Sequence, residues 1–185
     1  MVTEQVDSGT KVLGLEAVAD SAGNGTIYNI SRTVANRLAP DSAADTYNAV
    51  GGAITTLLVR QAIEKVEVEG AMRENIRIVC NPSQRTKFAE LLDSELRGNH
   101  GEQTSMGFGG AGVLTFDGIP FIFDYQCQTD ALFVVDFESE YIVMSKAPQL
   151  TGLAKVGAAE QAYIETYLAH VYEQPRRIHM LDTLS

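Results

Sequence analysis

An apolar run that stops abruptly and restarts with a helical period is the clearest pattern in the chain. Residues 76–80 are mostly β-branched and apolar, which predicts a short buried strand. Asn81 is predicted to cap the helix that follows, with Pro82 at its first position and Gly98 at its end. The helix repeats apolar residues at steps of three and four: Phe88, Leu91, Leu92 and Leu96. The stretch therefore predicts a strand–turn–helix unit.

The longest helical pattern covers residues 43–68. Its predicted apolar face consists of Val50, Ile54, Leu57, Leu58, Ala62 and Ile63. Gly51 and Gly52 interrupt the pattern, and they mark either the true start of the regular helix or a kink. Arg60 and Lys65 lie on the opposite, polar face.

The second half of the chain alternates as strands do. Asp117-Gly118 between two apolar runs is a strong signal for a β-hairpin. An acidic turn is predicted at 136–140, and Pro175 is predicted to break a long strand. The further strands are predicted at four places: 132–135, 141–144, 163–172 and 178–181. Helices that pack against a mainly antiparallel sheet make an α+β fold.

Charge and hydropathy narrow the range of functions that the chain can have. The 185 residues carry a formal net charge of −10, which opposes contact between copies. This charge argues against a dedicated nucleic-acid-binding domain, although Arg176 and Arg177, with His179 nearby, leave a local contact open. No apolar run approaches the roughly 20 residues that span a membrane, and no signal-peptide pattern opens the chain. Cys80 and Cys127 form no metal-binding motif, so we expect two buried free thiols in a reducing compartment.

No group of residues predicts catalysis. The Gly-rich segment 98–112 follows a helix and contains no lysine, so we interpret it as a surface loop and not as a phosphate cradle. In an extended chain Asp136, Glu138 and Glu140 would share one side, where they could bind a divalent cation, but a solvated acidic turn is the better interpretation. The histidines lie far apart in sequence: His100, His170 and His179. We therefore assign no catalytic, cofactor-binding or metal-binding residue, and this favours a structural or binding role.

Five segments, in this order along the chain, resemble landmarks of the major capsid proteins of tailed phages with the HK97 fold: 77–84, 116–122, 131–137, 141–144 and 173–178. The first, Arg-Ile-Val-Cys-Asn-Pro-Ser-Gln, resembles the strand in that family that ends in Asn-Pro and leads into a helix of the axial domain. The second, Phe-Asp-Gly-Ile-Pro-Phe-Ile, resembles the strand that follows the family's glycine-rich loop.

The resemblance implies an α+β, HK97-like capsid fold: mainly the axial domain, a central sheet flanked by helices, with part of the peripheral domain. It implies an N-terminal segment with a partial peripheral-domain region at 1–40, an axial-type α+β domain at 41–165, and closing peripheral-domain strands at 166–185. The N-terminal arm, extended loop and spine helix of the family are expected to be absent from this sequence, as in an N-terminally truncated member.

The implied function is that of a structural subunit of an icosahedral viral capsid. Copies would self-assemble in the host cytoplasm into pentamers and hexamers that enclose the genome, and the mature location would be the virion. The implied partners are other copies of the chain, with scaffolding and portal proteins left open; we expect no enzyme activity, no cofactor, no dedicated nucleic-acid site and no membrane contact. Segment 98–112 is expected to make contacts near the capsomer axis, and Arg60 and Lys65 to supply inter-subunit ion pairs.

Two alternatives stay open. One is an encapsulin-like nanocompartment shell protein with the same fold. The other is a small α+β metal- or nucleotide-binding enzyme that would use the Gly-rich segment and the acids of residues 136–140.

Overall fold

The structure, a computed structural model, describes residues 14–19, 26–28, 30–31, 38, 47–97, 108–109, 113–152 and 162–185. The described strands are β1 (Thr26–Ile27), β2 (Ile30–Ser31), β3 (Tyr47–Ala49), β4 (Ile76–Cys80), β5 (Phe108–Gly109), β6 (Val113–Phe116), β7 (Ile119–Phe123), β8 (Leu132–Asp136), β9 (Glu140–Gly152), β10 (Ala162–Tyr172) and β11 (Ile178–Asp182). The described α-helices are α1 (Leu15–Val18), α2 (Thr56–Val68) and α3 (Pro82–Arg97). Short 3₁₀ turns occupy Phe137–Ser139 and Pro175–Arg177.

A seven-stranded sheet forms the centre, in the order β3-β11-β8-β4-β7-β6-β5. The β3–β11 and β4–β7 pairs are parallel, and the other four neighbouring pairs are antiparallel. The mainly antiparallel sheet of an α+β fold is therefore confirmed, with two parallel contacts that the sequence did not predict. Among the described helices, none is long and apolar enough to cross a membrane.

The strand–turn–helix unit has the predicted form. β4 ends at Cys80, Asn81 follows, and Pro82 is the first residue of α3. The side-chain oxygen of Asn81 accepts a hydrogen bond from the backbone N–H of Ser83 at 3.1 Å, as an N-cap does. The predicted end at Gly98 lies outside the described residues.

The helix predicted at 43–68 begins later than the pattern indicates. Residues 47–49 form β3, an edge strand that pairs with β11, and Thr55 caps α2 by accepting a hydrogen bond from Leu58 N–H at 3.2 Å. Of the two alternatives, the glycines therefore precede the true start of the helix. The predicted apolar face is also partly wrong, because Leu57 is exposed; the residues that α2 buries are Val59, Ala62, Ile63 and Val66.

The Asp117-Gly118 hairpin is confirmed. Both residues have positive φ, 50° and 82°, as a type I′ turn requires, and β6 pairs antiparallel with β7 on either side. Glycine has no Cβ, so Gly118 adopts this conformation without the strain that another residue would incur.

Two apolar layers cover the two faces of the sheet. Residues that alternate along β4 and β8 point to opposite layers, so Ile78 packs with α2 and α3 while Val79 packs on the other side. In the first layer Phe88 of α3 contacts Phe116 edge-on and Phe121 in a stacked arrangement, each with centroids 5.1 Å apart. In the second layer Leu15 and Val18 of α1 are buried. The core of the protein therefore lies on both faces of the sheet.

Helix α1, which packs on the second layer, also contains the acidic residue Glu16. Burial raises the pKa of Glu16 above its usual value, and the neighbouring carboxylates of Asp182 and Asp130 raise it further, whereas a hydrogen bond with Gln128 lowers it. Folding therefore makes Glu16 easier to protonate than it is in the unfolded chain.

Candidate assembly surfaces

Strands β9 and β10 form a two-stranded antiparallel ribbon apart from the central sheet, and we call residues 140–152 and 162–172 the ribbon. Thirteen residues at about 3.3 Å each give β9 a length of about 40 Å. The sequence predicted the β10 strand correctly but stopped β9 at residue 144, because Lys146 and Pro148 interrupt the apolar pattern. The register shifts between Glu165 and Leu168, where β9 has extra residues; such bulges allow a proline in a strand.

The two faces of the ribbon differ in chemistry. Cross-strand pairs join Met144 to Leu168 and Leu150 to Ile164, and side chains alternate along β10. One face, which we call the aliphatic face, therefore carries five exposed apolar side chains, Ile142, Met144, Leu150, Ile164 and Leu168, together with Thr166 and, at its base, the pair His170 and Glu140. The other, the tyrosine face, carries Tyr141, Tyr163 and Tyr167 with Val143, Lys146 and Glu165.

Beyond its base, where Glu140 and His170 pair, the charges of the ribbon cancel. Between residues 141–152 and 162–169 the only Lys, Arg, Asp or Glu side chains are Lys146 and Glu165, and these two form an ion pair. The Tyr167 hydroxyl donates a hydrogen bond to the Glu165 carboxylate, and the Lys146 ammonium lies 5.7 Å from the Tyr167 ring centroid. In a chain with a formal charge of −10, the part of the ribbon beyond its base therefore has no net charge.

Polar contacts and one buried tyrosine fix the base of the ribbon to the rest of the protein. Tyr172 is buried in the second apolar layer, and its backbone N–H donates to the Tyr28 hydroxyl at 2.7 Å. The Tyr28 hydroxyl in turn donates to the carbonyl of His170 at 3.3 Å. His170 pairs with Glu140 across the two strands. Burial and the Glu140 carboxylate raise the pKa of Tyr172, so its hydroxyl stays protonated.

The three acids predicted to share one side have separate partners. Asp136 is fully buried and accepts a hydrogen bond from Arg177 at 3.0 Å, Glu138 accepts one from Asn75 at 2.9 Å, and Glu140 pairs with His170. Within the described residues, no group of three or more His, Cys, Asp or Glu side chains is arranged to hold a metal ion. The arrangement fixes the turn between β8 and β9.

The two consecutive arginines make contacts within the chain. Arg177 binds Asp136 and also donates to the carbonyl of Glu69 at 3.1 Å, beyond the end of α2. Arg176 lies 3.2 Å from the Glu69 carboxylate. Carboxylates of the same chain thus neutralise the cations that the sequence left open for a nucleic-acid contact.

The remaining candidate residues are dispersed. His179 is buried on β11, beside a groove of about 650 Å³ between α2 and the sheet, which Lys65 also lines. Arg60 pairs with Asp117 of its own chain at 3.0 Å and lies over the Phe116 ring. His100 lies outside the described residues, as does all of the Gly-rich segment 98–112 apart from β5.

Both thiols are free and buried, as predicted. Burial raises the pKa of Cys80 and of Cys127 to about 12. A thiol that stays protonated at neutral pH is a poor nucleophile and a poor metal ligand.

Sequence reasoning missed the extent and the chemistry of the ribbon. The signal for it was present, since Ile142 and Met144 lie two residues apart and Ile164 and Leu168 four residues apart, which puts each pair on one face of a strand. A strand buried on one face would show apolar residues in a single phase, whereas Tyr141, Val143 and Tyr163 fill the other phase as well.

Comparison with known proteins supplies the family. Residues 7–185 match the family model described as the SU10 major capsid protein. No curated protein matches the chain.

Two solved structures share the fold. A chain of the capsid asymmetric unit of cyanophage A-1(L) is 13% identical, with a TM-score of 0.69 over 94% of this chain and 60% of that chain. A chain of the holo-SrpI encapsulin complex from Synechococcus elongatus is also 13% identical, with a TM-score of 0.55 over 76% of this chain and 52% of that one. The chain thus spans less than two thirds of either neighbour. At these identities the likeness concerns the fold alone, and it confirms the α+β, HK97-like fold.

Proposed function

Because the chain belongs to the SU10 major capsid protein family, we propose that it is a structural subunit of an icosahedral viral capsid. Copies would assemble into pentamers and hexamers that enclose the genome, in the host cytoplasm, and scaffolding and portal proteins would be further partners. The observation that carries this proposal is the family match over residues 7–185, and the shared fold with a cyanophage capsid chain supports it.

We also propose that the role is structural and not enzymatic. The candidate acids support this, since Asp136, Glu138 and Glu140 bind three different neighbours instead of converging. The protonated thiols of Cys80 and Cys127 support it as well, because catalysis by cysteine needs the thiolate. The neutralised arginines agree with a subunit that has no dedicated nucleic-acid site.

The domain division predicted from the sequence stays a prediction, and the strand pairing suggests a refinement. The predicted boundary at residue 166 falls inside β10, whose whole length pairs with β9. We propose that the axial-type unit consists of the seven-stranded sheet with α2 and α3, that it includes β11, and that the ribbon belongs to the peripheral part.

The test is direct observation of shells. The full chain would be expressed, purified and examined by sedimentation velocity and cryo-electron microscopy over a range of salt and protein concentrations. Closed shells built from rings of five and six copies are the expected result. A chain that stays monomeric under all these conditions would contradict the proposal. Nucleic acid inside the shells would favour the capsid, and a protein cargo would favour the encapsulin alternative.

A further inference from the structure

We propose that the pair of His170 and Glu140 is a proton-dependent lock, which fixes the ribbon to the rest of the protein while His170 is protonated and releases it when His170 is neutral. The position of the pair is the first reason. Glu140 is the first residue of β9, and His170 lies two residues before the end of β10. The pair therefore joins the two strands at the point where the ribbon leaves the rest of the protein.

The base is also where the ribbon is attached. In the part of the chain that the structure describes, β9 and β10 pair with each other and with no strand of the central sheet. At the base, Tyr172 is buried in the second apolar layer, and the Tyr28 hydroxyl bonds to the backbone of both Tyr172 and His170. A long element attached at one end can turn as a unit when the few residues at its hinge change.

The pair is buried, and its attraction depends on one proton. The side chain of His170 is 17% exposed and that of Glu140 is 14% exposed. An ordinary imidazole has a pKa of about 6.5, so it changes charge between about pH 5 and 8. The two side chains form an ion pair only while His170 is protonated. Above this range Glu140 faces a neutral ring and loses its counter-charge.

The other groups around the pair supply no positive charge. The Tyr172 ring of β10 lies 4.5 Å from the His170 ring between centroids, and the Tyr172 hydroxyl lies 3.5 Å from Oε1 of Glu140. Tyr28, which follows β1, donates its hydroxyl to the His170 carbonyl. Glu173, directly after β10, adds a negative charge. None of these groups can replace the charge of His170.

The second oxygen of Glu140 favours release over a pair that stays closed. Oε2 of Glu140 is buried and has no hydrogen-bond partner among the described residues. A buried carboxylate that loses its cation and has one oxygen without a donor is strongly disfavoured. Water has to reach the carboxylate once His170 is neutral, and a turn of the ribbon at its base admits it.

The use of the lock in a shell rests on the proposed function, although the lock itself does not. Rings of five and of six place identical chains in different surroundings, so a subunit has to adopt more than one arrangement. A ribbon with a locked and a released setting provides two, and protonation of His170 selects the locked one.

Spin-label distances test the proposal. Gln149→Cys on the ribbon and Glu64→Cys on α2 introduce two exposed labelling sites, while the native thiols are buried and should not be labelled. The distance between the labels is measured by double electron–electron resonance on dilute chains, with sedimentation velocity to confirm that they are unassembled. We expect one narrow distance distribution at about pH 5.5 and a broader or shifted distribution at about pH 8.

Three variants separate the lock from a general effect of pH. His170→Gln cannot be charged and should give the released distribution at both pH values, whereas His170→Lys keeps a positive charge and should give the locked one at both. Lys146→Met removes the other ion pair of the ribbon and should keep the pH response of the parent chain. Circular dichroism checks that each variant folds.

Two results would overturn the lock. One is the same distribution at both pH values in the parent chain, as would follow if Glu140 took up a proton and the pair stayed closed. The other is a pH response that persists in His170→Gln. Both measurements use unassembled chains, so they decide the lock whether or not shells form, and a failure to form shells would overturn the proposed function alone.

Discussion

Arg177 holds together three parts of the chain, and its replacement by methionine is the sharpest test of how the central sheet is stabilised. Its Nη1 donates to the buried Oδ2 of Asp136 at 3.0 Å, at the end of β8. Its Nε donates to the carbonyl of Glu69 at 3.1 Å, after α2. The Arg177 side chain is 18% exposed and that of Asp136 is 0% exposed. Arg177→Met keeps most of the apolar volume of the side chain and removes both hydrogen bonds.

The expected loss in the free energy of unfolding follows from the contacts that Asp136 keeps in the variant. The Asp136 carboxylate keeps the hydrogen bond from the Glu138 backbone N–H to its other oxygen, at 3.0 Å, but loses its cation. Breaking a buried ion pair by removing one partner costs about 3–5 kcal/mol. We expect the lower end, about 3 kcal/mol, because the partial exposure of the arginine indicates that water can reach its place. The matched control is Asp117→Asn, which removes the exposed pair with Arg60 and should cost about 0–1 kcal/mol.

Urea unfolding followed by circular dichroism measures the stability losses of Arg177→Met and Asp117→Asn, and also the coupling energy between Arg177 and Asp136. Wild type, Arg177→Met, Asp136→Asn and the double variant complete a mutant cycle. Because Asp136→Asn already removes the buried charge, the double variant should be more stable than the sum of the single losses predicts, by roughly 1–3 kcal/mol. A loss below about 1 kcal/mol for Arg177→Met, or strict additivity in the cycle, would refute the assignment of this pair as buried and interdependent.

Three further predictions concern thiols, pH and backbone conformation. Cys80 and Cys127 should be inert to thiol reagents in the native protein at neutral pH and react fully in urea, since burial raises the pKa of both to about 12; rapid labelling of the native protein would contradict this. The pKa of Glu16 is raised in the folded state, so the contribution of Glu16 to stability is fully present below pH 4.5 and is lost as the pH rises through the raised pKa. Because glutamine does not titrate, Glu16→Gln should gain stability relative to wild type between about pH 4 and 7. Urea midpoints of the two proteins that stay parallel over this range would count against the prediction. Gly118→Ala should cost about 1–2 kcal/mol in urea unfolding because of its positive φ, whereas Gly52→Ala, with open space around it and no positive φ, should cost less; equal losses would rule out the backbone explanation.

Local chemistry made much of the fold predictable from sequence. The unit from β4 into α3 and the hairpin around Gly118 each depend on residues that are neighbours in the chain: Asn81 caps the N–H of Ser83, and Asp117 with Gly118 adopts the positive φ of the turn. Such signals need no knowledge of distant partners. The start of α2 was harder, because β3 exists only through its pairing with β11, more than 130 residues later. Helical periodicity before Thr55 was overridden by that long-range pairing.

The candidate chemical residues illustrate the same limit. The alternation of Asp136, Glu138 and Glu140 predicted that they could share one side, but a 3₁₀ turn at Phe137–Ser139 separates them. The partners that then determine their roles come from elsewhere in the chain: Asn75, His170 and Arg177. Spacing therefore identified the acids but not their contacts.

The exposure of the ribbon explains why its full length was difficult to recognise from the sequence. The sequence rules used for strands assume that apolar residues are buried within one chain, so a strand with apolar residues in both phases is ambiguous. In this protein the aliphatic face adds little to the core of its own chain, since burial reaches only Tyr172 at the base. Among the residues that the structure describes, the aliphatic face stays exposed, so packing within this part of the chain does not account for its apolar pattern. Apolar residues in both phases of a long strand are also the pattern of a strand buried on both faces, so the burial of such a strand depends on partners that periodicity does not identify.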